Sequence, residues 1–261
     1  MKLIKHLYLL VFLPLLSLQG QTKNGYVKKE FILKQDTLKY CILHPREMKS
    51  GKKYPLVLFL HGAGERGNDN HKQLTHGSTL FLNEKNRKKY PAIVLFPQCP
   101  NGIMWTHRLK EKSDIGVWEF EFPLKSGPTK PAFLVNELVE QLLTPGKVDE
   151  RRVYIMGLSM GGIGTLDFLS RWPDKYAAAQ VICGGHDPAL VDKYKHVPIW
   201  FFHGDKDDVV PPKYAQQVYK AHKQLNPQTK FTMYPHANHN SWDPAFAEPD
   251  YLKWIFKLKK R

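Results

Sequence analysis

The chain has 261 residues, 42% of them hydrophobic, enough for one large domain with a sizeable buried core and too many for an extended disordered chain. Its formal charge of +15 is spread over scattered Lys and Arg, with small groups at Lys28-Lys29, Arg87-Lys88-Lys89 and Lys257 to Arg261. Groups of that size read as solvated surface. With no nucleic-acid motif beside them they imply no specific nucleic-acid partner, only non-specific attraction to anionic surfaces or acidic polysaccharide.

The first twenty residues stand apart. Lys2 and Lys5 precede an apolar run from Leu7 to Leu16, which ends in Ser17-Leu18-Gln19-Gly20. This is the pattern of a signal peptide over 1–20, so the mature chain over 21–261 is expected to be secreted or periplasmic. The run is short for a membrane anchor and contains Pro14, so no span is expected in the mature chain. Cys41, Cys99 and Cys183 are odd in number and far apart, which suits buried free thiols better than a disulfide framework or a metal cluster.

Next come Tyr26 to Lys34 and Thr37 to Leu43, which alternate apolar and polar residues around Gln35-Asp36 as two antiparallel strands would. The pattern then changes to short, nearly continuous apolar runs at Leu56 to Leu60, Ala92 to Phe96, Val153 to Met156, Gln180 to Ile182 and Ile199 to Phe202. Strands buried on both faces look like this. Helical spacing appears over Pro131 to Leu143, Gly161 to Arg171, Pro212 to Leu225 and Asp250 to Leu258. Strand alternating with helix predicts an α/β fold, a mostly parallel doubly wound sheet with an antiparallel N-terminal edge. Ligands in such sheets bind beyond the carboxyl ends of the strands.

Four polar loops follow strands at that edge. They are His61-Gly62-Ala63-Gly64-Glu65-Arg66-Gly67, Gly157-Leu158-Ser159-Met160-Gly161-Gly162, His203-Gly204-Asp205-Lys206-Asp207-Asp208 and, after a last strand at Lys230 to Tyr234, Pro235-His236-Ala237-Asn238-His239-Asn240. Gly-x-Ser-x-Gly between a strand and a helix is a nucleophile elbow, in which small flanking residues permit the sharp turn and the serine sits at a helix N-terminus. Ser159 then needs a base, and the base an acid. His239 is the candidate base, with His236 second to it. Asp207 is the candidate acid, preferred to Asp205 and Asp208 beside it, with Asp208 as a brace and Asp187 as a weaker alternative. His61 and His203, each at a strand end before Gly, are expected to be structural. Two N–H donors for an oxyanion are expected from Ala63 and Met160. No metal or organic cofactor is implied.

These four motifs resemble those of secreted α/β-hydrolase esterases, both the phospholipase/carboxylesterase group and the feruloyl and acetyl-xylan esterases, over roughly residues 26 to 258. The resemblance implies an α/β-hydrolase catalytic domain over 21–261, with Ser159, Asp207 and His239 as a catalytic triad. It also implies hydrolysis of a small ester or an acylated carbohydrate through an acyl-enzyme. Prolyl-oligopeptidase-like peptidases share much of the pattern, so a serine peptidase is the rival enzyme. A non-catalytic carbohydrate-binding module is the rival from another class.

Residues 99 to 130 break the strand–helix rhythm. A long loop at the active edge of a compact domain is usually functional. Trp105 and Trp118 from it, and Trp242 after the last loop, are therefore candidate substrate-stacking residues.

Overall fold

A computed structural model describes residues 22–23, 25–112, 118–123 and 126–260. The leader expected over 1–20 lies outside the described residues. The strands are β1 (Thr22–Lys23), β2 (Tyr26–Leu33), β3 (Asp36–Leu43), β4 (Tyr54–Leu60), β5 (Ile93–Pro97), β6 (Leu109–Lys112), β7 (Trp118–Glu121), β8 (Val148–Leu158), β9 (Ala178–Ile182), β10 (Ile199–Gly204) and β11 (Lys230–Tyr234). The helices are α1 (Ser78–Leu82), α2 (Glu84–Lys89), α3 (Lys130–Leu143), α4 (Met160–Arg171), α5 (Lys213–Leu225), α6 (Trp242–Ala247) and α7 (Tyr251–Phe256).

Nine strands form one sheet in the order β1-β2-β3-β5-β4-β8-β9-β10-β11. The β1–β2, β2–β3 and β3–β5 pairings are antiparallel, and every pairing from β5 through β4 to β11 is parallel. This is the α/β-hydrolase arrangement, with its antiparallel edge at the N-terminal side as the sequence led us to expect.

The continuous apolar runs have a direct cause. All seven residues of β4 are buried; Leu56, Leu58 and Leu60 join one hydrophobic cluster, while Val57 and Phe59 join another. The first cluster lies under α3 and α4, through Leu134, Leu138, Leu166 and Phe168, and the second under α7, through Tyr251 and Ile255. With helices on both faces no position along the strand meets water, so the period of two disappears. In α4, every residue from Met160 to Ser170 is buried, which seats it against the middle of the sheet. Thr129 caps α3, its Oγ1 accepting from Ala132 N, and Pro131 occupies the first turn where no N–H is needed.

The segment after β5 is not the plain loop expected. β6 and β7 pair antiparallel as a separate hairpin. Three short helices, α1, α2 and α6, are further additions to the sequence reading. α2 buries none of its residues, consistent with the solvated basic group Arg87-Lys88-Lys89. Cys99 and Cys183 are buried free thiols, and Cys41 is buried as well.

Candidate active site

The carboxyl ends of β4, β8, β10 and β11 bring the four polar loops together. Ser159 sits between β8 and α4 with φ 53° and ψ −119°, a conformation a non-glycine residue adopts only at a cost of about 1–3 kcal/mol. The turn is held on both sides. Ser159 N–H donates to Ile182 O at 2.9 Å, and Ser159 O accepts from Ile163 N at 3.0 Å.

A continuous hydrogen-bonded run starts at this serine. Its hydroxyl donates to His239 Nε2 at 2.9 Å, and His239 Nδ1–H donates to Asp207 Oδ2 at 2.8 Å. The direction follows from the acid, because a carboxylate only accepts; Nδ1 therefore carries the proton and Nε2 has a free lone pair. Asp207 is buried, and its other oxygen, Oδ1, accepts from Val209 N at 3.0 Å and Val210 N at 2.9 Å. His203 Nε2–H is shared between Val210 O at 2.9 Å and Asp207 Oδ2 at 3.2 Å. Burial alone would raise the Asp207 pKa. Hydrogen bonds from His203 and His239, the His239 charge and the Val210 N–H outweigh burial and hold it well below the ordinary carboxylate range. The acid is therefore ionised at neutral pH.

The loops carrying acid and base are also tied to each other. Asp205 N donates to Tyr234 O and Lys206 N to Ala237 O, while Asp205 Oδ1 accepts from His236 N at 2.7 Å. Asn238 Oδ1 accepts from Asp208 N at 3.2 Å and His239 N at 2.7 Å. Asp205 and Asn238 thus fix the spacing between Asp207 and His239. The positioning role of neither was legible in the sequence, because the contact joins two loops about thirty positions apart. His236, the second candidate base, is exposed with φ 64° and serves through its backbone. Asp187 caps a short 3-10 turn, accepting from Ala189 N at 2.8 Å, and takes no part in the run.

Ala63 opens a 3-10 turn and Met160 opens α4, so each backbone N–H lies in a first turn, where it has no intrahelical acceptor. The Ala63 loop lies against the serine. A Cβ placed on Gly62 would come 3.6 Å from Ser159 Cβ. His61 braces this loop from beneath, with Nε2 accepting from Cys99 N at 2.9 Å and Nδ1 against Gly62 O at 2.7 Å. Its pKa falls to about 4, chiefly through burial, against the Gly62 carbonyl and with help from the Arg66 charge.

That shift predicts acid sensitivity. Between pH 6.5 and 4 the unfolded chain protonates this imidazole and the folded chain does not, so stability falls as pH drops through the window. The contribution is on the order of 3 kcal/mol. In His61→Gln, whose amide oxygen can still accept from Cys99 N, the melting temperature should depend less steeply on pH between 7 and 4.5. An unchanged slope would remove His61 from the acid response.

The expected aromatic rim divides. Trp242 is half-buried, edge-on to His239 with centroids 5.5 Å apart and tilted on His76 at 5.0 Å. Trp105 is a correction: it is fully buried, its Nε1–H donates to His61 O at 3.0 Å, and its Cβ packs against Gly164. It supports the loop and cannot stack on a ligand. Trp118 lies at the start of β7, and its side chain is outside the described residues. From the same hairpin, Phe120 packs on Val210 and Tyr214, and Phe122 stacks on His186.

Cys183 Sγ, Asp207 and His239 have potential ligand atoms within 4.8 Å of one another. They make a poor metal set. Burial, then the Asp207 charge, drives the thiol pKa up, and the other two residues already satisfy each other.

Residues 47–249 match the model of the phospholipase/carboxylesterase family. The chain belongs to that family. Its carboxylesterase relatives include one from Arabidopsis thaliana, 26% identical over 196 residues that cover 70% of this chain and 82% of the relative. A bifunctional acetylxylan esterase/xylanase of Neocallimastix patriciarum is 28% identical over 156 residues, covering 60% of this chain; the match spans only 20% of that larger protein. Among solved structures, a thermostable esterase superposes with a TM-score of 0.80 at 31% identity, covering 91% of this chain and 64% of that one. This phospholipase/carboxylesterase-family chain has no helix among its described residues long and apolar enough to cross a membrane.

Proposed function

We propose that this chain is a secreted serine carboxylesterase that works through an acyl-enzyme. The observation that carries the reading is the unbroken run from Ser159 through His239 to Asp207, in the protonation pattern a nucleophile needs. Ser159 Oγ attacks the ester carbonyl as His239 Nε2 takes its proton. The N–H groups of Ala63 and Met160 receive the charge that develops on the carbonyl oxygen. His239 then passes the proton to the leaving alkoxide. Water, deprotonated by the same nitrogen, attacks the acyl carbon and releases acid and free Ser159. Asp207 holds the imidazole in the Nδ1–H tautomer and offsets its positive charge.

Acylated plant carbohydrate is the proposed substrate class. The leader pattern over 1–20, the acetylxylan esterase relative and Trp242 beside the base all favour it. The purified mature chain should hydrolyse p-nitrophenyl acetate, acetylated xylan fragments or a feruloyl ester faster than a peptide anilide, and a fluorophosphonate should label Ser159. Well-folded protein that turns over none of these esters would end the esterase reading.

A further inference from the structure

On one flank of the site, two arginines converge without an acidic partner among the described residues. Arg66 Nε–H donates to Ala63 O at 2.9 Å, and its Nη1 to Ile103 O at 3.4 Å. On the neighbouring residue, Met104 Sδ accepts from Arg108 Nε at 3.4 Å, and the Arg108 guanidinium lies 4.8 Å from the centre of the Phe120 ring. Both guanidinium groups therefore sit around Ile103-Met104, close enough for the charge of one to act on the other.

Among the described residues no carboxylate approaches within 4 Å of either group. Two nearby acids are turned elsewhere. The Glu65 carboxylate faces His76 at 3.8 Å, and Glu119 is held by Lys213 at 2.8 Å and Tyr214 at 2.7 Å. Both Nη groups of Arg108 and Nη2 of Arg66 have no protein acceptor among the described residues. Two half-buried like charges with unused, fork-shaped donors are unfavourable alone and favourable around an anion.

The position decides what kind of anion fits. Arg66 is anchored on the Ala63 loop, which borders Ser159. Met104 packs on the cluster covering one face of the sheet, whereas Trp242, beside His239, packs on the cluster of the other. The alcohol must leave on the His239 side to receive its proton, so the arginines flank the acyl side. We infer that Arg66 and Arg108 form an anion subsite selecting esters whose acyl group carries a carboxylate, such as hemiesters of short dicarboxylic acids. This inference rests on the carboxylesterase reading.

The test compares monomethyl glutarate with methyl valerate, which has the same acyl length and no charge. At low salt kcat/KM should favour the hemiester about tenfold, the size of one charge-assisted contact, and rising NaCl should erode the preference. Arg108→Gln should reduce the ratio about tenfold, and Arg108→Lys should restore part of it, which a purely packing role over Phe120 would not. Calorimetry with Ser159→Ala supplies a readout without turnover. Monomethyl glutarate should bind this variant more tightly than methyl valerate and lose that advantage when Arg108→Gln is added. If neither ester is turned over, the binding comparison still decides the subsite, and p-nitrophenyl acetate separately decides the hydrolase reading. Equal binding of the two esters, or a ratio untouched by Arg108→Gln, would overturn it.

Discussion

Ser159→Ala is expected to lower kcat for p-nitrophenyl acetate roughly a million-fold, the scale on which removing a serine nucleophile acts, while leaving the melting temperature nearly unchanged. The two expectations follow from different contacts. The hydroxyl is the only part of the side chain that touches His239, and the backbone bonds to Ile182 and Ile163 that hold the turn survive the substitution. Asp207→Asn should act differently, losing about 10⁴ in rate and also stability. Its amide oxygen must still accept from Val209 and Val210, which turns the NH₂ towards two groups that were donating, His203 Nε2 and His239 Nδ1. The imidazole escapes by moving its proton to Nε2, where it no longer accepts from Ser159. His203 has no such escape, because its Nε2 also serves Val210 O. Retention of a tenth or more of the activity in Ser159→Ala would disprove the nucleophile assignment.

What was legible in the sequence follows the same divide between local and distant contacts. The parallel strands could be read because helices cover both faces of β4, β8 and β9, and burial on two sides writes an unbroken apolar run. The residues of the hydrogen-bonded run could be read because each lies in a loop that follows a strand at one sheet edge, a placement that topology enforces. The hairpin of β6 and β7 could not. Its strands are four residues each and rich in charge, and Phe120 is held by Tyr214, ninety-four positions away, whose hydroxyl accepts from Phe120 N at 2.8 Å. Trp105 was misread for a related reason. A tryptophan in a long loop carries no local sign of direction, and its burial depends on His61 O and on the space left by Gly164. Helix α2 gave no amphipathic signal because it has no buried face.

Gly161→Ala should be more damaging to the fold than any change in the hydrogen-bonded run. A Cβ there would lie 1.9 Å from Leu60 O and 2.4 Å from Leu60 C, both backbone atoms at the end of the central strand β4. Rotamer changes cannot relieve a clash with backbone, so either α4 or β4 must move. α4 is buried along nearly its whole length, and β4 is paired on both sides, so movement of either disrupts the core. Gly157 meets the same constraint from below, with a Cβ 2.2 Å from Gly161 O. The tight turn that lifts Ser159 into φ 53° therefore depends on both glycines, independently of their role in any reaction. The cost should exceed about 4 kcal/mol, a large part of the 5–15 kcal/mol typical of a folded domain. Urea unfolding followed by circular dichroism should show Gly161→Ala mostly unfolded or insoluble. Gly64→Ala is the matched control in the neighbouring loop, because its Cβ meets nothing within 4 Å and stability should stay within about 0.5 kcal/mol. Equal stability of the two variants would mean that the elbow is not built on close backbone approach at Gly161.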